Sequence, residues 1–163
     1  MKRILMAGLL ISLSGPLMRA SDDSNSRASL RGVKAFHVLV ENITDAPPEV
    51  TRDDFQTDVE LRCRQAGIRL EDAPGTYLYV AITLQELKYA NGQSEGAYAF
   101  SVAVEFNQPV LLLRDPTIRV IAPTWFKHST GVVELRDLRT FLRRSVSDKV
   151  ENFLNAFLEQ NPK

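Results

Sequence analysis

The sequence predicts an α+β fold: a two-layer sandwich in which about four mostly antiparallel strands form a sheet and two helices cover one of its faces. The first observation is that several stretches alternate apolar and polar residues with a period of two, as half-buried strands do. The second is that two other stretches repeat apolar residues every three or four positions, as amphipathic helices do. These stretches follow the order β-α-β-β-β-α, and the aliphatic strand faces supply the surface that the apolar helix stripes need.

The first strand is predicted over residues 33–40 (VKAFHVLV), because this stretch is rich in β-branched and aromatic residues. Neither of its faces is strongly polar, which favours an interior position in the sheet. A loop with two prolines follows, and then Thr51 and Asp54 stand at the spacing of a helix capping box. The predicted helix runs to about Ala66 and ends at Gly67.

The only cysteine of the chain lies on this helix. The apolar stripe of the helix comprises Phe55, Val59, Cys63 and Ala66. We therefore expect Cys63 to be buried in the core, as free cysteines commonly are. The alternative is a reactive thiol with a lowered pKa, because Arg62 and Arg64 flank it.

Three more strands are predicted over residues 77–87, 97–106 and 118–127. A bulge at Pro109 would let the second of these continue through 110–113, before a turn at Asp115-Pro116. From about Glu134 onward the apolar residues step by three or four positions. This predicts one long amphipathic helix that ends before Asn161-Pro162.

Residues 1–20 have the three-part layout of a bacterial signal peptide: a positive start, an apolar run of about ten residues, and a small residue at Ala20. We expect cleavage after Ala20, with Ser14 as the alternative site. A retained membrane anchor is disfavoured, since a spanning helix needs about 20 apolar residues. Residues 21–29 are polar and aperiodic, which predicts a flexible leader to a single domain over 30–163. No cysteine stands near the cleavage site, so we expect no lipid anchor and a periplasmic or secreted product.

The charge balance argues against a nucleic-acid partner. The chain has 20 basic and 20 acidic residues, and three of the basic ones, Lys2, Arg3 and Arg19, lie in the predicted signal peptide. The mature chain would therefore keep 17 basic residues and a formal net charge of about −3.

Few residues are arranged for catalysis. The two histidines, His37 and His128, lack partners at the spacings typical of zinc or iron ligands. No Gly-x-Ser-x-Gly turn supports a serine nucleophile, and the acids Asp53, Asp54 and Asp58 lack the loop pattern of a calcium site. We therefore expect no metal, no cofactor and no catalytic residue, and hence not an enzyme.

The last helix carries a row of basic residues at spacings of three and four, namely Arg136, Arg139 and Arg143. A solvated helix face is the simpler interpretation of this row. Binding of an anionic partner or a phospholipid headgroup is the alternative.

The predicted sheet also has a face that the two helices leave uncovered. This face is expected to carry His37, Tyr77, Tyr79, Thr83, Gln85, Ala99, Ser101, Ala103 and Trp125. Aromatic residues beside small ones suit close contact with another protein, because tyrosine and tryptophan supply contact area at low entropic cost. We select Tyr77, Tyr79, Thr83, Trp125 and His37 as candidate binding residues. An ordinary half-exposed antiparallel face has similar residues and is the alternative.

Several segments resemble a family of exported bacterial proteins of uncharacterised function. They are QTDVELRCRQAGIRL, YLYVAITL, AYAFSVAVEFNQPVLLLR, APTW and FLNAFLEQNPK. The element order is also similar to small sandwich domains of periplasmic assembly proteins, such as the N-terminal domain of the Tol-Pal propeller protein and lipoproteins of outer-membrane export machines. This second resemblance is one of fold, and it implies a docking or assembly role without catalytic residues.

These observations lead to the hypothesis of an exported, non-catalytic binding or assembly module of the bacterial cell envelope, which acts through protein–protein contact. The expected partner is another envelope protein, a homo-oligomer being possible, with no membrane span in the mature chain. A periplasmic carrier of a small apolar ligand, with a cavity between the long helix and the sheet, is the first alternative. An enzyme of unknown reaction is the second.

Overall fold

A five-stranded mixed sheet with three helices makes up the part of the chain that the computed structural model describes, residues 23–72 and 74–162. The predicted signal peptide lies outside these residues. The elements are α1 (Ser24–Ala28), β1 (Ala35–Val40), α2 (Arg52–Gln65), β2 (Arg69–Leu70), β3 (Tyr77–Lys88), β4 (Ser94–Leu112), β5 (Asp115–Glu134) and α3 (Leu135–Gln160).

The strands lie in the order β2-β1-β3-β4-β5. β1 runs parallel to both of its neighbours, whereas β3, β4 and β5 form an antiparallel meander. The prediction of an α+β sheet with an interior first strand is thus confirmed, but the sheet has five strands, not about four, and its β1 side is parallel. The helix α2 is the reason, because a chain that crosses over through a helix returns parallel to the strand it left.

Within the segment predicted as a flexible leader, 21–29, the structure places the short helix α1. Asp23 caps α1 by accepting a hydrogen bond from the Ser26 backbone N–H at 2.8 Å. An ion pair of 2.8 Å joins Arg27 to Glu159 on α3, and Leu30 is fully buried. Tertiary contacts of this kind are invisible in a polar, aperiodic sequence.

The start and the buried stripe of α2 agree with the prediction. The Thr51 hydroxyl accepts a hydrogen bond from the Asp54 backbone N–H, and Phe55, Val59 and Cys63 are buried. Burial raises the pKa of the Cys63 thiol to about 12. The fully buried position of Cys63 argues against the alternative of a reactive thiol, which would need an accessible sulfur and a lowered pKa.

The core lies between the sheet and the two long helices, with α2 over β1 and β2 and α3 over β4 and β5. Its centre is aromatic: Phe36 meets Phe106 at a centroid distance of 5.3 Å and Phe153 at 5.6 Å, both edge to face. Trp125 packs on the Phe153 ring at 5.2 Å and is 0% exposed. Rings therefore occupy the space between α3 and the sheet.

The position of Trp125 corrects its assignment to the uncovered face. In the β4–β5 register Trp125 stands opposite Phe106, and opposed residues of an antiparallel pair point to the same side of the sheet. The sequence of β5 has no regular alternation from which to read this phase. The register also shifts next to this pair, between Phe106 and Asn107.

The β4–β5 hairpin is longer than the rest of the sheet. The last β3–β4 pair is Tyr77 with Asn107, whereas β4 and β5 remain paired as far as Leu112 and Asp115. The predicted continuation past Pro109 is confirmed. The turn itself falls at residues 113–114, just before the predicted Asp115-Pro116.

Candidate functional site

The side of the sheet away from α2 and α3 is the candidate site, and we call it the open face. Alternation along the strands and the register between them place its residues. They are His37 and Leu39 of β1; Tyr77, Tyr79, Ala81, Thr83 and Gln85 of β3; Ala99, Ser101, Ala103 and Glu105 of β4; and Phe126, His128, Thr130 and Val132 of β5. Four of the five candidate binding residues thus share this face, and Trp125 does not.

One margin of the open face is an aromatic cluster. The His37 imidazole stacks on the Tyr77 ring at a centroid distance of 5.3 Å and an interplanar angle of 26°. Tyr77 in turn meets the Tyr79 ring edge to face at 6.4 Å. All three side chains are partly exposed, so the cluster presents ring surface to solvent. Stacking of this kind favours a defined relative orientation of the rings.

The Tyr79 hydroxyl has a defined partner, since it donates a hydrogen bond to Oε2 of Glu41. Desolvation, together with this hydrogen bond and the negative charges of Glu41 and Glu105, raises the pKa of Tyr79 to about 12. Each of these causes disfavours the phenolate. Tyr79 is therefore a neutral hydrogen-bond donor at physiological pH.

His37 carries an unusual polar atom. Its Nδ1 is buried without a hydrogen-bond partner among the described residues, and the closest carboxylate oxygen, on the exposed Asp72, is 3.8 Å away. This distance is too long for a hydrogen bond, so the Asp72 carboxylate and the His37 imidazole would attract each other only as an ion pair, with the imidazole protonated. The polar edge of His37 is thus incompletely satisfied in the isolated chain.

The opposite margin consists of residues that the sequence analysis did not select. His128 Nε2 lies 2.8 Å from Oε1 of Glu105, and the His128 ring packs against Phe126 at 5.0 Å. Register brings Tyr79, Glu105 and Phe126 into one row across β3, β4 and β5. The alternation of β4 could have indicated Glu105, but nothing in the sequence of β5 fixed which face Phe126 occupies.

Small side chains occupy the rows of the open face that follow the Tyr79–Glu105–Phe126 row. Ala81 stands opposite Ala103, and Ser101 stands opposite Thr83 on one side and Thr130 on the other. Ala81, Ala103 and Ser101 are only partly buried, so their backbone is approachable. The open face therefore has a floor of small residues beside aromatic side chains of β3 and β5.

The outer edge of β5 has no neighbouring strand in the described sheet. Two prolines, Pro116 and Pro123, remove backbone donors from it, and proline within a sheet is typical of edge strands. The stretch from Thr124 to Glu134 has no proline, and the Thr124 carbonyl accepts a hydrogen bond of 3.5 Å from the Ser29 hydroxyl.

The basic row on α3 is largely paired with α2. Arg139 binds Asp54 at 3.0 Å, and Arg143 binds Asp58 through two hydrogen bonds of 2.8 Å. Arg136 contacts Glu134 and Asp137. The row is thus neither a purely solvated face nor an unpaired anion site. Its residues Arg139 and Arg143 are paired with acidic residues of α2, and the sequence alone did not show that these acids face α3.

Among the residues that the structure describes, no group of three or more His, Cys, Asp or Glu side chains is placed to hold a metal ion. Within the same residues, no helix combines the length and the apolar character that a membrane span needs.

No protein-family model matches the chain, and no curated protein sequence matches it. Several solved structures are similar to it, among them the following two. Rare lipoprotein B from Shewanella oneidensis has 15% identity and a TM-score of 0.40, with 77% of this chain and 94% of that chain covered. A minor lipoprotein from Acinetobacter baumannii has 11% identity and a TM-score of 0.41, with 76% and 90% covered.

Both of these structures are bacterial lipoproteins, whereas the expected resemblance was to lipoproteins of outer-membrane export machines, a role that neither name states. Neither is a Tol-Pal protein, so that part of the resemblance stays a prediction. At such identities and TM-scores, the function has to be inferred from the residues of the chain itself.

Proposed function

We propose that the chain is an exported, non-catalytic binding module of the bacterial cell envelope and that it acts through protein contact on its open face. The observation that carries this proposal is the floor of small residues beside aromatic side chains of β3 and β5, on a sheet whose other side is covered by helices. Aromatic anchors next to approachable backbone are the typical composition of an interface centre.

The size of the open face favours a transient contact. From Tyr77 to Gln85 the shared rows span about 27 Å, and four strands span about 14 Å. The projected area is therefore roughly 400 Å², about half of the 800 Å² per partner that a standard stable interface buries.

The polar groups of the open face favour recognition over catalysis. Glu105 is bonded to His128 and Tyr79 to Glu41, on a surface that is open to water. Enzymes usually hold their reacting groups in a concave site that excludes water. The proposed role for these groups is to orient a partner through hydrogen bonds at the margins.

Site-specific photo-crosslinking in the envelope of the producing cell tests the contact. A photo-reactive residue at Thr83 or Val132, both exposed on the open face, should give the same crosslinked adduct. The same residue at Leu61, exposed on α2, is the matched control and should not give this adduct. The proposal fails if Thr83 and Val132 give no adduct or if Leu61 gives the same one.

The envelope location has its own test. Mass spectrometry of the protein from its native source should find a new N-terminus between Gly15 and Ser21. An intact Met1 in the envelope fraction would contradict export with cleavage.

A carrier of a small apolar ligand is the weaker candidate. It would need a cavity between α3 and the sheet, where the rings of Phe36, Phe106, Phe153 and Trp125 pack at centroid distances of 5.2 to 5.6 Å.

A further inference from the structure

The most exposed apolar surface of the described chain is not on the open face but at the tip of the β4–β5 hairpin. Twelve large hydrophobic residues are exposed among the described residues, and five of them fall within residues 111–121. These five are Leu111, Leu113, Ile118, Val120 and Ile121. We call them, with Arg114 and Arg119, the hairpin tip. Single exposed hydrophobics are ordinary, whereas such a cluster marks a contact surface.

The hairpin tip projects past the sheet. β3 accompanies β4 only to Asn107, so the residues beyond Pro109 pair with β5 alone. Leu113, at the turn, is 101% exposed. From Val110 to Leu113 the projection is about 10 Å at the rise of a strand.

Neighbouring segments contact the base of the hairpin on two sides. Gly75 lies against Ile121 and Pro109, so closely that a Cβ on Gly75 would stand 2.9 Å from Ile121 Cδ1. On the other side of the base, Gln108 donates hydrogen bonds to the Ser29 carbonyl at 2.9 Å and to the Thr124 hydroxyl at 2.8 Å. The tip is thus presented in a fixed direction.

The charges of the tip indicate what covers it. Arg114 and Arg119 are exposed and have no acidic partner within the described chain, unlike Arg139 and Arg143 on α3. The one acid of the tip, Asp115, accepts hydrogen bonds from the backbone N–H of Thr117 at 3.0 Å and from its hydroxyl at 2.6 Å. The tip therefore combines an apolar end with two free cationic groups.

We propose that the hairpin tip docks on the surface of an anionic phospholipid bilayer, with Leu113 and its apolar neighbours in the boundary between headgroups and acyl chains and with Arg114 and Arg119 at the phosphates. Apolar segments with arginines enter this boundary by about 5–10 Å, which the projection of the tip matches. Deeper insertion is excluded, because the outer backbone groups of a two-stranded hairpin have no partner in hydrocarbon.

A tryptophan placed at the tip tests the docking in the full chain. The chain has one native tryptophan, Trp125, which is fully buried and gives the baseline. Leu113→Trp should show quenching by brominated lipids in phosphatidylglycerol vesicles, with bromine near the headgroup quenching more than bromine near the chain end. Leu61→Trp, on an exposed site of α2, is the matched control and should stay unquenched.

The two arginines of the hairpin tip are tested in the Leu113→Trp variant. Arg114→Gln with Arg119→Gln should weaken binding to phosphatidylglycerol vesicles by about 25-fold, since each basic residue near an anionic surface contributes about fivefold. The quenching of Leu113→Trp should fall when phosphatidylglycerol is replaced by phosphatidylcholine. It should also fall when salt is added.

Three results would overturn the proposal. The first is no quenching of both Leu113→Trp and a second reporter, Ile118→Trp. The second is equal quenching of the tip and Leu61 reporters, which would mean that another part of the chain brings the whole molecule to the bilayer. The third is a concentration-dependent blue shift of the tip reporter without lipid, which would show that a second copy of the chain covers the tip.

Discussion

The guanidinium of Arg143 on α3 donates two parallel hydrogen bonds of 2.8 Å to the carboxylate of Asp58 on α2. The two residues are 85 positions apart and join the outer sides of the two helices that cover the sheet. One turn earlier on each helix, Arg139 and Asp54 form a second ion pair. The two helices are thus joined by ion pairs on their solvent side and by the hydrophobic core on their sheet side.

A double-mutant cycle measures the first of these pairs. We expect Arg143→Gln and Asp58→Asn to show a coupling free energy of about 0.5–1 kcal/mol, because both side chains are about 40% exposed and bidentate pairs lie at the upper end of surface pairs. Urea unfolding of the four variants gives this value. The coupling should shrink as salt is added, and a value that does not change with salt would contradict a charge interaction.

The buried thiol of Cys63 predicts slow labelling. In native buffer a thiol reagent should react far more slowly than in denaturant, because burial raises the Cys63 pKa to about 12 from its ordinary 9.0. The folded state therefore favours the protonated thiol, and its contribution to stability is present below about pH 9 and falls as the pH rises towards 12. Cys63→Ala should lose stability less steeply over this alkaline range. Rapid native labelling would contradict the burial.

The neighbours Trp125 and Phe126 provide a test of which sheet face each occupies. Trp125→Ala should lower the free energy of unfolding by about 3–5 kcal/mol, because the ring is fully buried against Phe153. Phe126→Ala, on the open face, should lower it by about 1 kcal/mol. Thermal or denaturant unfolding compares the two, and equal losses would mean that the assigned strand phase is wrong.

The bond between Tyr79 and Glu41 predicts a late phenol titration. The Tyr79 pKa of about 12 owes most to desolvation and the remainder to Glu41 and other nearby groups. Glu41→Gln should therefore lower the Tyr79 pKa part of the way towards 10, as followed by alkaline absorbance or NMR titration with Tyr79→Phe as the spectral control. No change in Glu41→Gln would show that the hydrogen bond is not formed.

Most of the open face could be predicted because β3 and the first half of β4 alternate cleanly. In both strands the aliphatic residues mark the core side, so Tyr79 and Thr83 had to lie on the other side. Phe126 could not be assigned in this way, since β5 mixes apolar and polar residues on both faces and Pro123 interrupts its pattern. Its phase is set by the pairing of Trp125 with Phe106 in the neighbouring strand.

The α2–α3 ion pairs were beyond sequence reasoning for another reason. Arg139 and Arg143 share a helix face, and so do Asp54 and Asp58, but the pattern of each helix shows only which side is apolar. Which charged side meets which depends on how the two helices lie on the sheet. The projecting hairpin tip is similar: the sequence predicts its strands, while the end of β3 at the Tyr77–Asn107 pair decides that the tip stands alone.

The sequence by itself determined the properties that depend on near neighbours along the chain: the helix start at Thr51, the buried stripe through Cys63, the alternating strands and the long final helix. These follow from backbone periodicity and from local hydrogen bonds. The tertiary structure alone decided the parallel pairing of β1, the burial of Trp125, the partners of Arg143 and the exposure of Leu113. Each of these depends on contacts between segments distant in sequence, and the packing of the whole chain selects among the pairings that local patterns allow.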